Sequence, residues 1–440
     1  MAEFKKYKLG DIADIRTSNV DKKITLNQKT VKLCNFVDVY YNWAITKSNY
    51  DSFMTATASD EEISKFSLKK GQVAFTKDSE TRDDIGIPAY IAEDFKDVVL
   101  GYHTALATPD ENIVTGEYLN AFMHSSYIQK YFELNATGSG MRYTLSQQTL
   151  HDIPILAPDL DAQHKIGSLL SKIDRKISIN REINRNLEEL AKQIYDYWFV
   201  QFDFPNEEGK PYKSSGGKMV WNEFLKREIP ADWEVKRLGE ILVKIDSGKR
   251  PAGGINKALK SGIPSLGAEC IDDLGVFDFS STPFIDNSYR NKLTTGKICN
   301  NDILVYKDGA YVGKITLFRD NFPYEEVFVN EHVFLIHAQE ECLEEYLYFS
   351  LKQKAYFQIM QNLGKAKAAQ PGLNREDMQN ILLIVPNKNI VSIFHNKVGL
   401  LFENLFNNAR AIGNLSSLRD NLLPLLMNGQ VTLNSCLSAD

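Results

Sequence analysis

Cysteine is scarce in this chain of 440 residues, and its placement forms no metal-binding pattern. The cysteines are Cys34, Cys270, Cys299, Cys342 and Cys436. Their number is odd, they are scattered along the chain, and no pair has the C-x-x-C spacing, so the sequence predicts no thiolate metal site. Such usage is typical of proteins kept in a reducing compartment, and it predicts a cytoplasmic location.

Long apolar runs are also missing. No stretch approaches the ~18 consecutive apolar residues that a membrane-spanning helix needs, and the chain does not open with a charged segment followed by an apolar one. The longest apolar run, residues 381–385, has the length of a buried strand. We therefore expect no membrane partner.

An excess of positive charge is absent. The chain has 51 Lys and Arg against 57 Asp and Glu, which leaves a formal net charge of −6. This sign excludes a protein that binds nucleic acid through overall basicity. Any DNA binding must come from a local positive groove, or from a complex with a partner that supplies more charge.

Complete catalytic motifs are lacking as well. The DNA-methyltransferase tetrapeptide Asn/Asp/Ser-Pro-Pro-Tyr/Phe is matched best by residues 321–324, which lack the first proline. Residues 308–315 share only Gly313-Lys314 with a phosphate-binding loop. His332 and His337 are five apart on a predicted strand and face opposite sides, which is poor geometry for a shared metal. The sequence therefore predicts no catalytic residue, metal or cofactor in this chain.

What the chain does contain is a long heptad seam that occurs twice. The first copy has Ile166, Ile173, Asn180, Leu187 and Ile194 at one seam position and Leu170, Ile177, Asn184, Ala191 and Trp198 at the other. An offset of 228 residues gives Phe394, Leu401, Asn408, Leu415 and Leu422, and Val398, Leu405, Ile412, Arg419 and Leu426. Two such helices can bury each other's stripe, and we expect an antiparallel pair with Asn180 and Asn408 near its centre, fixing the register. The alternative is that each is a core helix of its own domain.

The repeat extends beyond the helices, at offsets of 228 to 230 residues. Matching segments are 7–12 and 236–241, 71–78 and 301–308, 117–119 and 345–347, and 153–155 and 381–383. His103 matches His332, and both lie inside apolar runs, which favours a structural role over a catalytic one. Short β-branched and aromatic runs between Gly, Asn, Asp and Pro predict strand-rich bodies with a few helices.

The predicted fold class is α+β, with two similar strand-rich domains separated by a long antiparallel two-helix coiled coil. The expected bounds are 1–158 for the first domain, 159–202 for the first helix, 203–229 for a linker that is exposed over 203–218, 230–386 for the second domain, 387–429 for the second helix and 430–440 for a tail. Pro424 is expected to kink or stop the second helix, and Asn428-Gly429 is typical of a helix end.

Polar loops carry side chains suited to phosphate and base contact, at residues 77–82 and 137–144 in the first domain and at residues 246–251 and 363–367 in the second. The candidate DNA-binding residues are Lys77, Arg82, Arg142 and Tyr143 in the first domain and Lys249, Arg250, Lys307, Lys365 and Lys367 in the second. Lysines would mainly hold phosphates, and arginines could bind guanine through two hydrogen bonds. For each loop taken alone, a solvated surface loop is the simpler interpretation.

The tandem plan carries a family resemblance. Leu-Gly-Asp/Glu-Ile at 9–12 and 238–241, the runs 246–251, 263–268 and 302–314, and a long helix ending each half make the chain similar to the specificity subunits of type I restriction–modification systems. The first half departs from this pattern, because Arg16-Thr17-Ser18-Asn19 stands in place of the run 246–251 and residues 81–86 are inserted. The two halves are therefore expected to recognise different sequences.

The resemblance implies a non-catalytic subunit of a methyltransferase and ATP-dependent endonuclease complex. Each domain would be a target recognition domain that reads one half of a bipartite site on double-stranded DNA in the major groove. The helices would set the spacing between half-sites and dock two methyltransferase subunits, and ATP-dependent translocase–nuclease subunits would complete the complex. S-adenosylmethionine, ATP and Mg would be bound by those partners. The alternatives are a protein-binding scaffold with two repeated domains on a helical spacer, and a fused methylase–nuclease, which the absent motifs disfavour.

Overall fold

The computed structural model describes residues 4–249, 259–339, 343–365 and 372–433, and the chain forms two compact units. The first unit comprises Met1–Ser178 and Asn414–Asp440, and the second comprises Ile179–Gly413. The boundary between residues 178 and 179 falls inside the long helix Leu160–Tyr195, and the boundary between residues 413 and 414 falls inside the long helix Lys388–Met427. Each unit is therefore built from a globular body and a segment of both long helices. Among the described residues, no helix combines the length and apolarity needed to cross a membrane.

The long helices pair antiparallel within each unit, as the heptad pattern predicts. In the first unit, Ile166 and Leu170 share a buried cluster with Leu423 and Leu426, and Asp174 lies 3.6 Å from Arg419 further along. In the second unit, Asn184 contacts Leu405, and the ring of Tyr195 lies 6.3 Å from that of Phe394. Rising numbers on one helix meet falling numbers on the other, which defines the antiparallel sense.

Arg419 interrupts the apolar seam, and its contacts explain why. Its guanidinium lies 3.6 Å from the Asp174 carboxylate and 5.0 Å from the centre of the Trp43 ring, which stacks on His124 at 4.0 Å. Burial, followed by the Arg419 charge, lowers the pKa of His124 to about 3, so this imidazole is neutral. Within the first unit, Arg419 thus connects both helices to the globular body.

The body of the first unit is a layered α+β structure. Its strands are β1 (Lys5–Lys8), β2 (Ala13–Thr17), β3 (Lys29–Cys34), β4 (Ala44–Ile45), β5 (Met54–Ala58), β6 (Val73–Thr76), β7 (Asp78–Ser79), β8 (Pro88–Ile91), β9 (Val98–Leu100), β10 (Thr104–Pro109), β11 (Thr137–Ser139), β12 (Arg142–Thr144) and β13 (Pro154–Ala157). Its short helices are Leu9–Ile12, Phe36–Tyr40, Asp60–Phe66, Gly116–Met123, Ser126–Asn135 and Gln147–His151. The sheets have the orders β2-β10-β6-β8-β4, β5-β3-β9, β11-β12-β7 and β1-β13.

The central strand β6 is buried on both faces. Val73 and Phe75 point into the cluster that contains Tyr118 and Ile166, whereas Ala74 points into the cluster around Leu33. This alternation is the two-residue period of a strand covered on both sides. Because β6 is fixed by two cores, Lys77 and Asp78, which follow it directly, start from a rigid position.

The body of the second unit repeats the same connections. Its strands are β14 (Met219–Asn222), β15 (Arg227–Pro230), β16 (Glu234–Arg237), β17 (Leu242–Ser247), β18 (Ile263–Leu266), β19 (Phe284–Ile285), β20 (Ile303–Tyr306), β21 (Ile315–Leu317), β22 (Phe328–Val329), β23 (Val333–Ala338) and β24 (Leu382–Val385). Its short helices are Glu344–Lys352, Lys354–Lys365 and Arg375–Gln379. The order β17-β23-β20-β21 corresponds to β2-β10-β6-β8, and the pair β16-β24 corresponds to β1-β13. The predicted α+β class and the tandem repeat are confirmed.

The sequence predicted a linker after the first long helix and a helix end at Asn428-Gly429 after the second. The linker segment 203–229 carries the hairpin β14-β15 and buries Ile229, and within the stretch 203–218, which was expected to be exposed, Phe204 is buried. The ring centre of Phe204 lies 4.6 Å from that of Tyr212 and 5.0 Å from that of Trp233, and both pairs are stacked. Aromatic rings bury large apolar areas, so even this short segment has a buried side chain. The second long helix does not stop at Pro424 but ends at Met427, so the predicted helix end at Asn428-Gly429 is confirmed, with Gly429 at a φ of +70°. Of the expected tail, residues 434–440 lie outside the described residues.

The buried amide of the helix pair is at Asn184. Asn184 is 8% exposed, and its Nδ2 donates a 3.0 Å hydrogen bond to the Leu405 carbonyl oxygen, while its buried Oδ1 has no partner in the part of the chain that the structure describes. Asn180 and Asn408, the predicted register residues, are half-buried. A heptad pattern specifies the face of a helix but not its axial offset from a partner, so it could not distinguish these asparagines.

Replacing Asn184 by leucine is expected to raise the free energy of unfolding by about 1 kcal/mol, because leucine has a similar volume and removes an unpartnered buried oxygen. Denaturant titration of the purified chain measures this change. Asn404→Leu is the matched control on an exposed helix position and is expected to change stability by less than about 0.5 kcal/mol. A clear loss of stability in Asn184→Leu would contradict this assignment.

Candidate nucleic-acid interface

The candidate residues of the first unit meet on a three-stranded ribbon. Strand β12 pairs with β11 on one side and with β7 on the other, with Tyr143 opposite Ser79 and Thr144 opposite Asp78. Gly140 lies in the turn between β11 and β12 and has a φ of +56°. Glycine adopts this backbone conformation readily because it has no Cβ atom. The two loops that the sequence singled out, 77–82 and 137–144, are therefore neighbours in one sheet.

Asp78 lies within 4 Å of three basic side chains at this ribbon. Its carboxylate lies 2.6 Å from His103 Nδ1, 3.3 Å from Arg142 Nη2 and 3.8 Å from Lys77 Nζ. Burial alone would raise the pKa of Asp78, but hydrogen bonds from Thr144 and His103 and the charges of Lys77 and Arg142 outweigh it and lower the pKa below its usual value. Asp78 is thus a buried anion at neutral pH, surrounded by donors.

The remaining candidates of this unit lie beside Asp78. The Arg82 guanidinium is 5.0 Å from the centre of the Tyr143 ring, a cation–π distance that aligns the two side chains. Nη2 of Arg142 also lies 2.9 Å from Nε2 of the His103 ring. Arg82 and Arg142 are exposed, and Lys77 and Tyr143 are half-buried. The structure therefore brings all four candidate residues of the first unit together.

A cleft of about 560 Å³ opens next to the ribbon. It is lined by Phe36, Val37, Tyr40, Tyr41, Asp78, Ser79, Glu80, Thr81, Asp84, His103, Met141 and Arg142. Tyr40 donates its hydroxyl to Asp84, and burial together with this carboxylate raises the pKa of Tyr40 to about 12. Tyr41 is 73% exposed and Met141 is 87% exposed. The sequence analysis did not identify the residues of 36–41 that line this cleft. The aromatic residues Phe36, Tyr40 and Tyr41, close together in the sequence, were the signal that could have indicated them.

The second unit has a corresponding set of Lys, Asp and His side chains. We call this set the frame; it comprises Lys77, Asp78 and His103 in the first unit and Lys307, Asp308 and His332 in the second. Lys307 and Asp308 follow β20, and the Asp308 carboxylate lies 2.9 Å from His332 Nδ1. The Lys307 carbonyl accepts a hydrogen bond from Leu373, as the Lys77 carbonyl does from Leu145. Both histidines therefore hold an aspartate, and the Lys-Asp pair and its histidine recur in both units. The Lys307 ammonium lies 4.7 Å from the centre of the Phe334 ring.

The other candidates of the second unit are less closely grouped. Lys249 is exposed just after β17, and Lys365 is exposed at the end of the helix Lys354–Lys365. Gly372 donates its backbone N–H to the Gly364 carbonyl and pairs with Asp308, which sets Lys365 near the frame. Arg250 and Lys367 lie outside the described residues.

A cluster of titratable groups away from the ribbons involves Glu344, Glu345 and His395, whose ligand atoms lie within 4.8 Å of one another. Arg319 donates to Glu345 at 2.5 Å, and His395 does so at 2.8 Å. Burial raises the pKa of Glu344 to about 8, so this carboxyl carries a proton at neutral pH. The Glu345 charge is thus balanced by side chains, and the cluster anchors the helix Glu344–Lys352 without needing a cation.

Fold and site together define a tandem-repeat α+β subunit in which each unit presents basic side chains on a fixed Lys-Asp and His frame. The family model described as "Type I restriction modification DNA specificity domain" matches residues 1–189 and 230–400. These ranges cover well over half of the chain, so the chain belongs to this family, with two copies of the domain. It is a type I restriction–modification specificity subunit, and the predicted resemblance is confirmed.

Relatives and solved structures agree with this placement. The specificity subunit of the type I restriction enzyme HindI from Haemophilus influenzae is 24% identical over 485 residues, 98% of this chain and 100% of that protein. The MjaIX specificity subunit from Methanocaldococcus jannaschii is 28% identical over 336 residues, 73% of this chain and 70% of that protein. The crystal structure of the type I system S subunit from M. genitalium has a TM-score of 0.57 at 16% identity and covers 97% of this chain and 96% of that one. This last likeness concerns the fold.

Proposed function

We propose that each unit reads one half of a bipartite target on double-stranded DNA. The observation that carries this proposal is the repeated frame, Lys77, Asp78 and His103 in one unit and Lys307, Asp308 and His332 in the other. The same frame supports different side chains in the two units, as two readers of different half-sites require. A two-stranded ribbon such as β11-β12 also fits the major groove of DNA.

The chemistry of the side chains supports a division of labour. Arg142 is exposed and keeps donors free for the two acceptors on a guanine edge, whereas Lys77 and Lys307 suit phosphate oxygens. Because the net charge is −6, the isolated chain would bind DNA weakly, and tight binding would require the assembled complex.

The remaining parts follow from the same proposal. The recognition domains would span 1–158 and 230–386, and the helices within 159–202 and 387–429 would set the gap between half-sites and dock two methyltransferase subunits. The chain itself would not catalyse a reaction. S-adenosylmethionine would be bound by the methyltransferase subunits and ATP and Mg by the translocase–nuclease subunits, in the cytoplasm.

Arg142→Ala tests the proposal in the complex with the methyltransferase subunits. The expected result is loss of base preference at one position of one half-site, with discrimination falling by roughly 1–3 kcal/mol, because the guanine edge loses its partner. Mapping methylated bases across a genome measures this. Lys130→Ala, on an exposed ion pair with Glu133 in the same unit, is the control and should leave the methylated sequence unchanged. An unchanged sequence in Arg142→Ala would refute the reading role.

A second candidate function is a protein-binding scaffold, favoured by the hairpin β14-β15. Trp221 and Phe224 on this hairpin are 56% and 77% exposed, and the first repeat has no counterpart of the segment. Exposed aromatic side chains are common in protein interfaces. A gel-shift on long mixed-sequence DNA, with and without methyltransferase subunits, separates the two functions, since a scaffold would give no DNA complex in either case.

A further inference from the structure

We propose that Asp78 is a positioning residue, which together with His103 holds Arg142 in the orientation needed to read a base. The inference rests on the proposed function and assigns a role to two residues that were not among the candidate readers. Asp78 would not contact DNA, because its side chain is only 9% exposed and its carboxylate is surrounded by His103, Arg142 and Lys77.

Arg142 needs contacts from other residues to fix its side chain, because it lies on a short strand next to an exposed turn. It belongs to the short strand β12, one residue after the exposed tip Met141, and its side chain is 53% exposed. A free arginine side chain loses rotamer entropy when it docks, and supporting contacts made beforehand reduce that loss. One guanidinium nitrogen of Arg142 contacts Asp78 and the His103 ring, which leaves its other nitrogens for a base.

Asp78 is itself held firmly enough to serve as a support. It follows the doubly buried strand β6, and its strand β7 is paired with β12 through Thr144. The His103 Nδ1 contact at 2.6 Å fixes the carboxylate, and His103, whose backbone is left-handed with a φ of +72°, is held in turn by a hydrogen bond from the Lys77 N–H to its carbonyl. A non-glycine residue in this conformation is uncommon and has to be stabilised by its surroundings.

The second unit offers an independent argument. Asp308 and His332 form the same acid–imidazole pair, with the same backbone bond from Lys307 to His332, although the neighbouring side chains differ. A pair retained beneath different reading side chains is what a common support would require.

Asp78→Asn is the decisive variant in the complex with methyltransferase subunits. Asparagine keeps the size but removes the charge to which His103 and Arg142 donate, so Arg142 should become mobile. We expect discrimination at the position that Arg142→Ala relaxes to fall about tenfold, with binding to non-target DNA changed by less than about twofold because no phosphate contact is lost. Methylation mapping and competition binding measure the two quantities.

Two controls and a second test variant make the outcomes distinguishable. Asp51→Asn, an exposed aspartate of the same unit, and Asp308→Asn should both leave the first half-site unchanged. If Asp78→Asn fails to fold, seen as loss of methylation at every site, His103→Gln carries the test and should relax the same position. Unchanged discrimination in a folded Asp78→Asn or His103→Gln, alongside a relaxed Arg142→Ala, would overturn this inference alone. No relaxation in Arg142→Ala would refute the proposed function itself.

Discussion

Replacing Phe394 by alanine is expected to lower the free energy of unfolding of the second unit by about 3–5 kcal/mol. Phe394 is fully buried, with ring centres 4.9 Å from Phe199, 6.0 Å from Trp198 and 6.3 Å from Tyr195. The substitution removes a large apolar side chain and leaves a cavity between the two helix segments, which the surrounding rings can fill only in part. Denaturant titration followed by tryptophan fluorescence reports the loss directly, because Trp198 is in the affected cluster.

Ile393→Ala is the matched control for this prediction. Ile393 is the preceding residue of the same helix but is 40% exposed, so its truncation is expected to change stability by about 0.5 kcal/mol or less. Equal effects of the two variants would mean that the aromatic cluster does not hold the helix segments together.

Glu345→Gln is expected to destabilise the second unit by about 3–5 kcal/mol. The Glu345 side chain is 1% exposed, and its two oxygens accept from Arg319 at 2.5 Å and from His395 at 2.8 Å. Glutamine leaves the Arg319 charge buried without a counter-charge, and its amide nitrogen meets a donor. A thermal melt at neutral pH measures the change, and Glu61→Gln, on an exposed i,i+4 pair with Lys65, should cost less than about 1 kcal/mol.

The pH dependence gives a second readout of the same variant. The hydrogen bond to Glu345 raises the pKa of His395 above its ordinary value, against the effect of burial. A raised folded-state pKa stabilises the protein fully below the unfolded value of about 6.5, and this contribution is lost as the pH rises through the folded value. Glu345→Gln should therefore weaken the fall in stability above about pH 6.5. An undiminished fall would assign the pH dependence to other groups.

The sequence predicted those features that are encoded by local periodicity. The spacing of Ile166, Leu170, Ile173 and Ile177 indicated the buried face of the first helix, and all four are buried. The repeat matched residues 7–12 with 236–241 and residues 153–155 with 381–383, and these segments contribute to the corresponding pairs β1-β13 and β16-β24. Both signals depend on neighbours at fixed distance along the chain.

Features that depend on tertiary placement were not predictable in the same way. Residues 137–144 were interpreted as a loop, but β12 becomes a strand by pairing with β7, which lies more than sixty residues away in sequence. The contacts of Asp78 arise from that pairing, so the sequence indicated Lys77 and Arg142 as candidates without indicating what connects them. The burial of Asn184 depends on the axial offset of two helices that are distant in sequence.

The division of both long helices between the units has a consequence for synthesis on the ribosome. Leu423, Leu426 and Met427 complete the core of the first unit, although the rest of that core precedes residue 179. At roughly 5–20 residues per second, about 250 further residues must be translated before these side chains emerge. The first unit thus closes its core only after the residues of the second unit have been made, and loss of residues 414–427 would damage the unit that is synthesised first.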